Sequence, residues 1–262
     1  MGGVTVMGAL RRGRLATAGV AAALAAIATA GYTTGTVAAA PASRAETAHL
    51  TALTAPAYTP SARTLTEGMK GADVKALQQR LAALKYYPGS VDGVFGGDTL
   101  EAVWAFQEVN GLSVDGVVGP ATKRALVHPR AFSPRDPRQS GTRIEVNLTR
   151  RVLVLYVNHK ITLISHVSSG GGYYYCSTGG CSYAITPTGN FRTTVYMPGW
   201  VTVPLGEMYN PVFFISTVFA IHGDTDVPVD PVSHGCVRIP MDIAAFFHTL
   251  VKTPGTEVFV YK

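Results

Sequence analysis

The sequence predicts two folded units of different class: a small all-α domain of three helices, then a larger, mostly β domain of sandwich-like type. Three observations point there. Between about Leu65 and Val127, apolar residues recur at helical spacing and a loop-then-helix pattern occurs twice. From Ile144 onward, short alternating or β-branched runs separated by turn residues replace that spacing. Between the two lies a proline-rich break over residues 128–141. With 262 residues, 47% of them hydrophobic, the chain is long enough for one or two buried cores.

Residues 1–42 read as a secretory signal. Arg11, Arg12 and Arg14 precede an apolar, alanine-rich run that ends in small residues at Ala40-Pro41-Ala42. Gly19, Thr29 and Gly31 interrupt the run and weigh against a stable membrane-spanning helix, so membrane contact is expected only if the signal stays uncleaved. Residues 43–63 are rich in Ala, Thr and Pro and are expected to form a disordered tether. The formal charge of +6 gathers at this end of the chain. Four of the 22 basic residues (Arg11, Arg12, Arg14 and Arg44) precede the first acid, Glu46, leaving a nearly balanced 18 basic and 16 acidic residues. No basic patch follows, which excludes a nucleic-acid partner.

The helical domain is expected over residues 64–127. Val74, Leu77, Leu81 and Leu84 give Ala72 to Lys85 one apolar face. Asp92-Gly93-Val94-Phe95-Gly96 is a turn-rich loop, after which Asp98 can cap a second helix with Glu101 reaching back. Gly111 suits that helix's end. The loop then returns as Asp115-Gly116-Val117-Val118-Gly119, with Pro120 placed for a first helical turn. Trp104 and Phe106 read as core, and both Asp-Gly pairs as turn chemistry. The linker over 128–141, with three prolines and alternating charge, is expected to be of limited flexibility and to separate binding from catalysis.

The β domain is expected over residues 142–262. Ile144 to Leu148 alternates as a half-buried strand does, Val152 to Val157 is a β-branched and aromatic run, and Asn158-His159 turns the chain into a third strand. His166 has no partner evident in the sequence. A glycine- and tyrosine-rich insertion follows, containing Cys176 and Cys181. In an exported chain these two are expected to pair, a bridge worth roughly 2 kcal/mol for so short a loop. That leaves Cys236 as the odd thiol. The aromatic-rich stretch from Tyr196 to Phe219 combines core strand with a lid, Met241 to Phe247 has a helical pattern, and Glu257 to Tyr261 closes as a strand.

The chemistry concentrates in Ile221-His222-Gly223 and Pro231-Val232-Ser233-His234-Gly235-Cys236-Val237-Arg238. A thiol attacks as thiolate, and a nearby imidazole can take its proton. Gly235 allows a sharp turn beside the nucleophile, and an extended segment after Cys236 would put Arg238 on the same face. The alternatives are a cysteine that merely fills core, a zinc site from His222, His234 and Cys236, or Ser233 as nucleophile. The sequence has neither a C-x-x-C nor an H-E-x-x-H pattern to complete the metal site, nor a G-x-S-x-G elbow, so no metal is expected.

His222-Gly223 followed by Ser233-His234-Gly235-Cys236-Val237-Arg238 resembles the active-site signature of the L,D-transpeptidases, cysteine enzymes of bacterial peptidoglycan. Thr186-Pro187-Thr188-Gly189-Asn190-Phe191 is similar to a further turn of that family. The resemblance implies Cys236 as nucleophile, His222 as its base and the Gly223 carbonyl as the group orienting that imidazole. Ser233 and His234 would shape the site, and the N–H groups of Gly235 and Cys236 would form an oxyanion hole. Arg238, Tyr209 and Phe219 are the expected substrate contacts. The implied reaction cross-links stem peptides in the cell wall or a periplasm-like space, without cofactor; the alternatives are an L,D-carboxypeptidase using the same thiol and a non-catalytic peptidoglycan-binding protein. Residues 65–127 resemble the peptidoglycan-binding-1-like domain in Gly71 through Leu81, in both D-G-V-x-G loops and in Ala102-Val103 with Phe106-Gln107, which implies contact with peptidoglycan strands. The Cys176/Cys181 insertion departs from the plainer family pattern.

Overall fold

The computed structural model describes residues 58–135, 141–177 and 179–262. The signal expected over 1–42, and the tether as far as residue 57, lie outside the described residues. Residues 58–63 depart from the tether reading. Tyr58 packs on the helical core, and Ser61 and Arg63 both bind Asp73, Arg63 with Nε 2.7 Å from Oδ2.

Helices α1 (Ala72–Ala83), α2 (Gly97–Asn110) and α3 (Pro120–Val127) form the first domain, with Leu65, Leu77, Leu81, Phe95, Phe106 and Leu126 fully enclosed. Its internal repeat has a polar pivot. Gln78 donates through Nε2 to Asp92 Oδ1, Val94 O and Thr99 Oγ1, and accepts from Gly93 N. Gln107 repeats this with Asp115 Oδ1, Val117 O, Thr122 Oγ1 and Gly116 N. Each buried amide thus ties a D-G-V loop to the helix after it, satisfying groups that would be costly to bury bare. The expected cap on α2 is not used. Gly96 is the N-cap and makes no side-chain cap bond, so the helix begins one residue before Asp98. Gly111 does end it in the left-handed region, and Pro120 does start α3.

The second domain is two sheets face to face. Strands β1 (Arg143–Asn147), β2 (Val152–Val157) and β3 (Lys160–His166) form a meander. A separate hairpin follows, β4 (Tyr174–Ser177) with β5 (Gly180–Tyr183). Then come β6 (Gly189–Arg192), β7 (Trp200–Val203), β8 (Gly206–Ile215), β9 (Phe219–Asp224) and β10 (Val237–Pro240). Helix α4 (Met241–Leu250) and β11 (Glu257–Tyr261) close the chain. One sheet runs β3-β2-β1-β11-β6 and the other β10-β9-β8-β7; β1 with β11 and β9 with β10 pair in parallel. Leu153, Leu155, Val258 and Val260 of the first sheet meet Val212, Phe214, Ile221 and Ile239 of the second, and α4 adds Ile243 and Phe247.

The two domains share an apolar junction. The other face of β2, carrying Val152, Val154 and Tyr156, joins Ile164 of β3 in the hydrophobic core of the helical domain. Each such side chain is worth about 1.5–3 kcal/mol of burial, so separation would forfeit a large part of an ordinary domain's stability. Ile164 N also donates to Lys85 O across this junction. A strand apolar on both faces needs a cover on each, and the helical domain supplies the second cover for β2. Within the linker Arg135 is pinned: its N–H donates to Glu145 Oε2, and its guanidinium lies over the Phe259 and Tyr261 rings.

Candidate active site

Strand register assembles the site. In the parallel pair β9 and β10, Arg238 lies directly beside His222 and Val237 beside Ile221. Because side chains alternate along a strand, Cys236, Arg238 and His222 share one face, which is the floor of a cavity of about 1080 Å³. On one side rises the β4–β5 hairpin, whose Tyr175 lines the cavity. On the other stands the β7–β8 hairpin, with Trp200 and Met208.

His222 is buried, and its Nδ1 donates to its neighbour's carbonyl, Gly223 O, at 2.9 Å. That bond fixes the tautomer and leaves Nε2 as the basic nitrogen. Burial draws the imidazole below its ordinary value, only partly opposed by the Gly223 carbonyl and by Asp224, so the ring is neutral at neutral pH. Gly223 has no room for a side chain: a Cβ would stand 2.7 Å from Ala244 Cβ of α4. The helix therefore packs directly on the strand that carries His222.

Cys236 is the free thiol among the described residues, and its Sγ lies 3.8 Å from Val218 O. Burial pushes it above the ordinary thiol value, while a backbone contact at Ala220 and the Arg238 charge pull the other way. The resting pair is thus thiol and imidazole, both neutral. Ser233 braces the turn, donating to Cys236 O at 2.6 Å and accepting from Gly235 N at 3.0 Å. Gly235 adopts φ +142°, a conformation side chains rarely take, and a Cβ there would meet the Phe219 ring at 2.6 Å. The Gly235 N–H is therefore engaged by Ser233 and is not a free donor for the expected oxyanion hole. Thr186 supports the same turn, donating to Gly235 O at 2.8 Å and accepting from Gly170 N at 2.9 Å.

The remaining residues sort by position. Arg238 lines the cavity, but its Nε is 3.1 Å from Asp224 Oδ2 and its Nη1 donates to Asp226 O, so the guanidinium is partly committed to the loop after β9. His234 lines the wall and is held edge-on by Tyr175 and Tyr173, at 4.7 and 5.6 Å. Phe219 lines the cavity beneath Gly235. Tyr209 does not. It lies against Gly223 and the Trp200 ring and packs on the sandwich core, because its place in β8 opposite Gly223 turns it toward α4. Cys176 and Cys181, directly opposite in the β4–β5 register, are joined in a disulfide. Tyr175 and Trp200 are wall residues that sequence reasoning did not assign. The Tyr173-Tyr174-Tyr175 run beside a cysteine was the signal for the first, while Trp200 was indistinguishable from core.

Two family profiles match the chain in tandem: the peptidoglycan binding domain over residues 70–126 and the L,D-transpeptidase catalytic domain over residues 141–260. The chain is similar to the solved L,D-transpeptidase (residues 123-326) of Xylanimonas cellulosilytica, at 35% identity over 78% of this chain and 100% of that one, with a TM-score of 0.72. It is also 48% identical over 82 residues to the spore cortex-lytic enzyme of Bacillus cereus, 31% of this chain and 32% of that protein. An N-acetylmuramoyl-L-alanine amidase of Mycobacterium tuberculosis is 48% identical over 56 residues, 21% of this chain and 14% of that protein. These lytic relatives match the helical domain, and the chain spans about a third or less of their length.

Proposed function

This chain belongs to the L,D-transpeptidase family, and on that premise we propose that it is an exported acyltransferase that cross-links peptidoglycan stem peptides through a thioester on Cys236. The observation that carries the proposal is the common face of Cys236, His222 and Arg238 at the cavity floor, with His222 Nδ1 held on the Gly223 carbonyl. A neutral imidazole beside a neutral thiol acts as general base at the moment of attack. Cys236 Sγ bonds to the carbonyl carbon between meso-diaminopimelate and D-Ala of a tetrapeptide stem as Nε2 takes the thiol proton. The tetrahedral oxyanion faces the N–H groups beside the thiol. The imidazolium then returns the proton to the D-Ala nitrogen as the C–N bond breaks. An amine of a second stem, deprotonated in turn by His222, attacks the thioester and releases the thiol. Arg238, tethered by Asp224, offers its remaining donors to a donor-stem carboxylate. The helical domain would bring the enzyme to its polymer, in the wall or a periplasm-like space.

The test is intact-mass spectrometry of the protein incubated with a disaccharide-tetrapeptide, beside a Cys236→Ala control. An adduct confined to the wild type, with dimeric muropeptide in solution, is the expected result. Release of D-Ala without dimer would mean hydrolysis of the same thioester, and neither adduct nor product would overturn the proposal.

A further inference from the structure

A buried polar pair at the junction of the two domains is used by neither the thiol nor the cavity. His166 ends β3 with its side chain fully enclosed, and its Nδ1 lies 3.0 and 3.2 Å from the carboxylate oxygens of Glu108 on α2. Its Nε2 lies 3.1 Å from the carbonyl of Pro228. With an acceptor at each nitrogen, the ring donates through Nε2 to Pro228, and a proton is shared between Nδ1 and Glu108. Arg151, in the turn before β2, brings its Nε to 3.6 Å from the same carboxylate, and Trp104 of α2 packs edge-on to the imidazole at 5.5 Å.

Pro228 belongs to the 225–232 segment that leaves β9 after Asp224 and re-enters at Ser233 as the nucleophile turn. The end of β3 and its continuation grip this segment at successive points. His166 holds Pro228 O; Ser168 Oγ donates to Asp230 O at 2.9 Å and accepts from Val232 N at 3.2 Å; Ser169 O accepts from Ser233 N at 2.9 Å. Of these, the His166 clamp is backed by a side chain from the helical domain. The surrounding junction is made by Val152, Val154 and Ile164, and apolar residues would have closed this spot at less desolvation cost than a carboxylate and an imidazole. What the polar pair adds is a directed bond to the catalytic loop.

We propose that Glu108 and His166 are positioning residues through which the helical domain holds the nucleophile loop and sets the rate at which Cys236 reacts. Displacement of α2, for example when peptidoglycan is bound, then reaches the thiol through one imidazole. The proposal rests on Cys236 as the nucleophile, and not on which amine accepts the acyl group.

The test uses the full chain and two readouts: the rate of Cys236 alkylation by iodoacetamide, followed by intact mass, and kcat and KM with the disaccharide-tetrapeptide. His166→Asn keeps a donor toward Glu108 but is too short to reach Pro228, whereas His166→Gln carries an amide nitrogen in place of Nε2. Glu108→Ala removes the backing, and Glu108→Gln retains a polar partner. Tyr87→Ala weakens the same junction at its contact with Phe246, 5.0 Å ring to ring, without touching the loop. Expected are losses of about tenfold or more in alkylation rate and kcat for His166→Asn and Glu108→Ala, with KM unchanged. Glu108→Gln should stay within about threefold of wild type, whereas His166→Gln, which keeps the Pro228 bond but gives up the one to Glu108, should lose about as much as Glu108→Ala. Wild-type rates in His166→Asn, or rates that follow melting temperature across all variants including Tyr87→Ala, would overturn the proposal. If the transpeptidase reading itself were wrong, the wild type would fail with the muropeptide while alkylation still reported the loop.

Discussion

The thiol of Cys236 owes its setting to two neighbouring hydroxyls. Ser233 and Thr186 between them satisfy Cys236 O, Gly235 N and Gly235 O, three groups of a turn whose φ no ordinary residue would adopt. Thr186→Val keeps the shape and strands Gly235 O and Gly170 N, so it should cost about 1–3 kcal/mol in urea denaturation and lower kcat more than it alters KM. The same burial that orders the turn sets the pH dependence. His222 is depressed and Cys236 raised, so the base is available from below the ordinary histidine value of about 6.5 upward, and the thiol ionises only at alkaline pH. A plot of kcat/KM against pH should therefore have its acid limb below 6.5, and iodoacetamide alkylation should keep rising beyond the range of a free cysteine. An acid-side plateau of alkylation, the mark of a resting thiolate, would contradict this. The grouping at this scale was legible, since Cys236 and Arg238 alternate onto one face and lie in the window that also carries His222. Tyr209 was not, because facing cavity or helix depends on the register of β8 with β9, which no local pattern encodes.

At the scale of elements, the β4–β5 hairpin is nearly all surface: its strands bury little, and Tyr174 and Tyr183 are well exposed. A two-stranded ribbon of this kind is marginal alone. It keeps its place through the Cys176–Cys181 bridge and the Tyr173 and Tyr175 contacts with His234. Replacing both cysteines by serine should leave the melting temperature within a few degrees, the bridged loop being short, yet raise KM several-fold as the Tyr175 wall loses order. Steady-state kinetics separate this from a stability effect, and an unchanged KM would remove the hairpin from substrate binding. Strand β2 teaches the complementary lesson. Its sequence, Val-Leu-Val-Leu-Tyr-Val, is apolar without alternation, the mark of a strand covered on both faces. The run identified the strand correctly. What it could not name was the second cover, because α2 packs there through contacts distant in sequence.

Among the described residues, the helical and β domains are therefore joined through a junction with a polar seam. Beside the apolar junction, Asp98 and Glu101 of α2 face Asp242 at the start of α4, with their ligating oxygens all within 4.8 Å of one another. Burial, then the neighbouring carboxylates, push Glu101 up to about 8; burial and Asp98 push Asp242 up to about 6. Both lie above the unfolded-chain values of about 4, so between these limits the folded state holds protons that the unfolded chain has released. Their contribution to stability is complete below pH 4 and is lost as the pH rises through 6 and then 8. Glu101→Gln fixes the neutral form and should flatten the fall in melting temperature across that window, leaving the variant about 2–4 °C above wild type at pH 8 for roughly 1 kcal/mol. Calorimetric scans between pH 5 and 9 decide the matter: parallel curves for the two proteins would mean that the carboxylates are already solvated and the seam open. Because Glu108 and His166 lie in this same junction, the flattened curve should be matched by a kcat that declines less steeply on the alkaline side. Loosening of α2 and loss of the loop clamp would then be the same event, seen by heat and by rate.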